Sequence, residues 1–141
     1  MKRKILIITA LFLILTGSFS CKQKEESNEF ITMQVFPKEV SINSLNKLRI
    51  ENHTKKDISY GSPFCLEYFY ENEWIAIQHE ITWEDIGYIL KAGETTENRM
   101  NLYALIEEFN GSKKGKYRII KTFSFMFKQQ DEILHAEFEN N

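Results

Sequence analysis

Apolar and polar residues alternate along most of this chain, and the alternation has a period of two rather than 3.6. Thr32-Met33-Gln34-Val35-Phe36 alternates and stops at Pro37. Within Leu45 to Asn52, Leu48, Ile50 and Asn52 share one phase, and Asn52 to Asp57 reads as a turn. Ile58-Ser59-Tyr60 is short and ends at Gly61-Ser62-Pro63. Phe64 to Tyr70 alternates, with Cys65 and Glu67 in one phase and Phe64, Leu66 and Tyr68 in the other. Glu71-Asn72-Glu73 reads as a tight hairpin turn into Trp74-Ile75-Ala76-Ile77. Lys91-Ala92-Gly93-Glu94 is a further turn before a strand at Thr95 to Leu102. Gly111 to Gly115 leads into Lys116 to Phe127, the most strand-like stretch, and Ile133 to Phe138 follows. Runs of this length, rich in β-branched and aromatic residues and split by turn residues, read as strands.

One segment breaks the pattern. Leu102, Leu105, Ile106 and Phe109 fall at helical spacing, which predicts a short helix or turn near 102–109. About seven or eight short strands with one such insertion predict an all-β sandwich or barrel. Gly115-Lys116-Tyr117-Arg118-Ile119 favours the sandwich, because it sets a tyrosine just after a glycine at a strand start. Immunoglobulin-like domains carry a tyrosine corner there, its hydroxyl tied back to upstream backbone. Two residues later, where antibody domains have a cysteine, stands Ile119. Its aliphatic packing against Leu48 or Ile50 would replace the disulfide. The expected structural set is Tyr117 at the corner, with Ile119, Ile50, Phe64, Leu66 and Trp74 in the core.

The ordered motifs resemble a family of bacterial immunoglobulin-like domains found in small lipoproteins. The stretches that carry the resemblance are Leu48 to Thr54, Tyr60-Gly61-Ser62-Pro63-Phe64-Cys65-Leu66-Glu67, Glu73-Trp74, Leu90 to Glu94, and Gly115 to Lys121. They span residues 30 to about 127. Two departures are Ala92, where the family usually holds proline, and a longer, more basic loop before Tyr117. The resemblance implies an immunoglobulin-like antiparallel β-sandwich outside the cytoplasm and carries no agreed catalytic residues.

The first twenty residues differ from the rest. Lys2, Arg3 and Lys4 precede an apolar run from Ile5 to Leu15, then small residues, then Cys21. A charged start, a short apolar core and small residues before a cut are the parts of a secretory signal. The run is about half of the roughly twenty residues that a membrane-spanning helix needs. Cys21 stands where a bacterial lipoprotein carries its diacylated cysteine. Ser20 fits that signal, whereas Ser18 departs from the usual leucine. The alternatives are an uncleaved anchor, or an ordinary cleavage site that leaves Cys21 a free thiol. The expected organisation is a signal peptide over 1–20, a lipid-anchored flexible tether over 21–29, and one immunoglobulin-like domain over 30–141. Lys24-Glu25-Glu26 resembles a short acidic signal for the outer face, and a merely soluble spacer reads equally well.

Charge then excludes one class of partner. The whole chain carries 18 Lys+Arg and 20 Asp+Glu. Without residues 1–20, which hold three of the cations, 15 stand against 20, a net charge of −5. That is no footprint for nucleic acid. It gives no polybasic attraction to lipid either, so two or three acyl chains on Cys21 would do the anchoring.

Little chemistry appears. His53, His79 and His135 are far apart, no cysteine pair exists, and Asp57, Asp85 and Asp131 are the only aspartates. A metal site and a cofactor are therefore not expected. No Gly-rich phosphate loop and no Gly-x-Ser-x-Gly is present, so an enzyme is not expected. Cys65, the second cysteine, is expected to pack beneath a covering strand, with a reactive thiol as the alternative. The remaining signal is aromatic. Trp83 sits in a polar, acidic stretch with Glu84, Asp85 and Tyr88 close by, and loop aromatics anchor contacts. Trp83, Glu84, Asp85 and Tyr88 are the candidate binding surface, and the alternative is that Trp83 caps the core's open end. The expected function is a non-catalytic, lipid-anchored cell-envelope module acting through another envelope or extracellular protein. The alternatives are an inhibitor of a protease or lysozyme, using the Trp83 loop or the Lys113-Lys114 loop, and a glycan-binding module.

Overall fold

A computed structural model describes residues 29–78, 84–126 and 131–141. The expected signal segment, Cys21, the tether up to Asn28, and Trp83 lie outside the described residues. Among the described residues, ten strands and one helix follow in chain order: β1 (Ile31–Phe36), β2 (Glu39–Val40), β3 (Asn46–Asn52), β4 (Ile58–Gly61), β5 (Cys65–Tyr70), β6 (Glu73–Ile77), β7 (Gly87–Leu90), β8 (Thr95–Met100), α1 (Leu102–Asn110), β9 (Gly115–Phe125) and β10 (Asp131–Asn140).

These make two unequal sheets. One is three strands wide, β1-β3-β8. The other runs β2-β10-β9-β4-β7, and β5 also pairs with β9 and carries β6 beside it. The chain changes sheets at the cis Phe36–Pro37 bond: β1 pairs antiparallel with β3, and β2 pairs parallel with the end of β10. Buried Asn46 fixes that crossing, with Nδ2 donating to Pro37 O at 2.9 Å and Glu39 O at 3.3 Å. β2 and β7 are strands that the alternation did not foresee. Both are too short for a period of two to register.

β9 is the spine of the wider sheet. β10 pairs along nearly its whole length. On the other side, β5 covers Tyr117 to Ile120 and β4 covers Phe123 to Phe125. β4 and β5 are two pieces of one line of chain, broken at 62–64. The inward phases of both sheets meet in a single core that includes Val35, Leu48, Ile50, Ile58, Leu66, Tyr117, Ile119, Phe123 and Phe138. Period-two alternation puts these side chains on one face, and each fully buried large one contributes about 1.5–3 kcal/mol.

The turn before β9 is held from three strands. Tyr117 Oη donates to Lys113 O at 2.6 Å and accepts from Asn110 Nδ2 at 2.9 Å. Tyr68 Oη donates to Lys114 O at 3.1 Å, and Asn140 Nδ2 donates to Lys113 O at 2.9 Å. α1 buries Leu102 and Ile106. Asn101 caps its start by accepting from Ala104 N at 3.1 Å, and Gly111 ends it at φ 60°, a left-handed conformation that suits glycine. At the other end of the sandwich, buried Asn52 donates through Nδ2 to Lys56 O, Leu90 O and Lys91 O, and its Oδ1 accepts from Thr54 N and Oγ1. One amide thus ties two turns to β3.

Two expectations about faces are corrected. Cys65 is exposed rather than packed under a strand. Its phase, with Glu67 and Phe69, is the outer face of the wider sheet, and among the described residues no layer covers that face. Trp74, expected in the core, is half-buried on the same outer face because its register partner is Phe69. Phe64 precedes β5 rather than starting it, and packs half-buried against the core.

Candidate functional site

The inequality of the sheets opens a cleft. Beyond β8 the narrow sheet stops, while β4 and β7 continue beneath it. Their uncovered inner face and one side of α1 enclose about 470 Å³. Leu48, Tyr60, Phe64, Tyr88, Met100 and Leu105 make an apolar lining, and Asn98, Arg99, Asn101 and Glu108 stand around it. Tyr60 is buried, stacks on exposed Tyr88 with ring centroids 5.3 Å apart, and packs tilted against Phe123 at 5.5 Å. The aromatic stack thus runs from the core to the surface. Burial raises the Tyr60 hydroxyl above its usual range, against hydrogen bonds with Asn98 and Thr96.

Lys121 lies against the cleft and is only 6% exposed. It occupies the inward phase of β9 between Ile119 and Phe123. The break between β4 and β5 explains it. Three carbonyls there leave the ladder, and the ammonium has three donors. Nζ donates to Gly61 O at 2.8 Å, Ser62 O at 3.1 Å and Pro63 O at 2.9 Å. It also lies 5.6 Å from the centre of the Tyr60 ring. Burial pulls the ammonium down to about 8 from 10.5. Among the described residues no carboxylate pairs with it. With its three protons engaged it acts as a clamp on the chain break. The sequence carried one signal of it, a charge in an otherwise apolar phase.

Of the candidate surface, Glu84, Asp85 and Tyr88 are exposed and Trp83 lies outside the described residues. Glu84 and Asp85 lead into β7, whose Tyr88 borders the cleft. Ile86 and Ile89 beside it are also exposed. The site is therefore an edge strand and the cleft next to it, assembled mainly from β4, β7, β8 and α1, with Leu48 of β3 and Lys121 of β9 beneath. Sequence reasoning found Tyr88 but missed Tyr60, Met100, Leu105 and Lys121.

The outer face offers less. Arg118 Nε donates to Glu67 Oε2 at 2.6 Å, and its guanidinium lies 4.3 Å from the Trp74 ring centre. The guanidinium covers the indole face that a sugar ring would stack on. No group of three His, Cys, Asp or Glu side chains that could hold a metal occurs among the described residues. Among them, too, no helix is long and apolar enough to cross a membrane.

No curated protein matches the chain. A family model described as a bacterial Ig-like domain matches residues 27–139. That span contains both sheets, the corner at Tyr117 and the cleft, and the chain belongs to the bacterial Ig-like domain family.

Proposed function

We propose that this chain is a non-catalytic cell-envelope protein, lipid-anchored through Cys21, that binds another protein through the cleft between β7, β8 and α1. The carrying observation is the cleft itself: about 470 Å³, lined by six large apolar side chains and opening beside exposed Tyr88. Apolar pockets with a few polar groups are the usual form of a binding site, and at protein interfaces anchor side chains of one partner fill such pockets of the other. Family membership supports a protein-interaction or adhesion-type module of the envelope. The engagement of all three Lys121 protons supports a binding role over a catalytic one.

Ala104→Glu tests the cleft. Ala104 is exposed on α1 and lines the cleft, so a larger charged side chain fills the space at a position where helices tolerate it. The full chain, immobilised, is expected to retain one stoichiometric envelope protein and the variant to lose it. Equal retention by both would sink the cleft as the contact surface. Cys21→Ser tests the anchor separately: the protein should move from the membrane fraction to the soluble fraction. Persistence on the membrane would refute lipidation there.

A second reading, inhibition of a hydrolase, draws on the Lys113-Lys114 loop. Tyr117, Tyr68 and Asn140 hold that loop by hydrogen bonds from three strands, the kind of preorganisation an inserted inhibitory loop needs. No inhibition of proteases or lysozymes at micromolar protein would discard it.

A further inference from the structure

We propose that β7 is a self-pairing edge: two copies of this chain join antiparallel along it, centred on Tyr88, into one continuous sheet. This concerns the backbone edge of β7 and stands whatever the cleft binds.

Among the described residues, the free edges of the two sheets differ in how they are guarded. β8 carries Glu97 and Arg99, β6 carries Glu73, and β10 carries Asp131, Glu132, Glu137 and Glu139. β1 is uncharged but packs against β10. Charges of this kind keep edges from pairing. β7, Gly87-Tyr88-Ile89-Leu90, has none, and Ile89 is 60% exposed.

The register shows which backbone groups are free. Ser62 N donates to Ile86 O at 3.2 Å, and β4 pairs Tyr60 with Tyr88 and Ile58 with Leu90 in the same register. Hydrogen-bonded pairs alternate along an antiparallel ladder. Ile86 O and the backbone groups of Tyr88 and Leu90 therefore point at β4, while Ile86 N turns back to Glu84 O, and Gly87 and Ile89 point their groups outward. In a pairing centred on Tyr88, Gly87 of one copy meets Ile89 of the other, and the two exchange both bonds. The symmetry repeats the pair, which gives four.

The side chains suit that same register. A Cβ built on Gly87 meets nothing within 4 Å, so there is room beside it for the exposed Ile89 of the second copy. Tyr88 meets Tyr88 in a non-hydrogen-bonded pair, where side chains come closest. The stack Phe123–Tyr60–Tyr88 then continues into the second molecule. Asp85 and Lys91 lie just outside β7, at equal distance in sequence on either side of Tyr88, so the symmetry brings the Asp85 end of each strand to the Lys91 end of the other. Both are exposed, and neither has a side-chain partner among the described residues. Opposite charges across a ladder favour the register, and like charges oppose it.

Sedimentation velocity of the full chain in nonionic detergent, from about 5 to about 300 µM to suit so short an interface, tests the pairing. The wild type should pass from monomer to dimer over that range. Asp85→Lys, which sets a lysine against Lys91, should weaken the dimer at least fivefold. Asp85→Lys with Lys91→Asp should return it to within twofold of wild type. Ile89→Pro should abolish it while leaving the melting temperature nearly unchanged, because that N–H points away from β4 and proline is tolerated at such an edge position. A wild type that stays monomeric throughout overturns the proposal and leaves β7 to a strand of another protein. A dimer indifferent to Asp85→Lys, or one not restored by the exchange, also overturns it.

Discussion

Replacing Lys121 by methionine separates two opposing energies. Methionine keeps the length and the apolar stem but removes the charge and all three donors. The bonds to Gly61 O, Ser62 O and Pro63 O are lost. A hydrogen bond to a charged group contributes about 1.5–3 kcal/mol. Pro63 is exposed and its carbonyl regains water, whereas Gly61 and Ser62 are half-buried. Two carbonyls left short represent a loss of about 3–6 kcal/mol. Against this, the wild type holds a buried ammonium at a disadvantage. The fall from 10.5 to about 8 corresponds to about 3 kcal/mol at neutral pH. The net expectation near pH 7 is a destabilisation between about 0 and 3 kcal/mol.

The pH dependence gives a second handle. Between about 8 and 10.5 the unfolded chain keeps this proton while the folded chain sheds it. The unfolded state binds more protons there, so the wild type gains stability from this group as pH rises. Methionine has no such gain. The gap between the two proteins should therefore widen by about 2 kcal/mol from pH 7 to about pH 9.5. Urea unfolding followed by tryptophan fluorescence at the two pH values measures it. A gap that stays constant or narrows between the two pH values would refute the reasoning.

Other substitutions probe the frame around the cleft. Asn52→Ala removes three donated and two accepted bonds at a buried position and should cost about 2–4 kcal/mol in denaturant unfolding, with faster hydrogen exchange in the turns at 53–57 and 91–94. Tyr117→Phe should cost only about 1 kcal/mol by the same measurement, since Lys113 O keeps its bond from Asn140. Gly115→Ala should cost about 1–3 kcal/mol, read as a lowered melting temperature. Its φ is 136°, and the added Cβ would lie 3.1 Å from a ring carbon of Tyr68.

The strands that were legible are those with covered neighbours. β3 and β9 alternate because one face meets the core, and Gly115-Lys116-Tyr117 spells a corner whose hydroxyl bond the structure contains. The helix was legible because Leu102 and Ile106 repeat at its period. Period two tells which residues share a face, but not which face receives a second layer. That is why Cys65 and Trp74 were assigned to the interior and stand on the outside. The cleft was illegible for a related reason. It follows from one sheet being narrower than the other, a property of strand order, and its lining is gathered from positions between Leu48 and Lys121. β7 escaped because an exposed four-residue edge has no buried phase to reveal it.

The direction of β1 sets how the molecule presents itself. The chain enters at Ile31, and β1 carries it away from that point to Phe36, about 20 Å along. Met100 pairs with Asn46 at this far end, and α1 starts just beyond. The helical wall of the cleft thus stands at the pole opposite Ile31. Phe36, Ile42 and Leu45, each about 70% exposed, crown the same pole. With the nine residues 21–29 able to stretch to about 30 Å, a chain held at Cys21 would lift this pole clear of its anchoring surface. A partner arriving from the opposite side would meet α1 and the apolar crown before any other part of the domain.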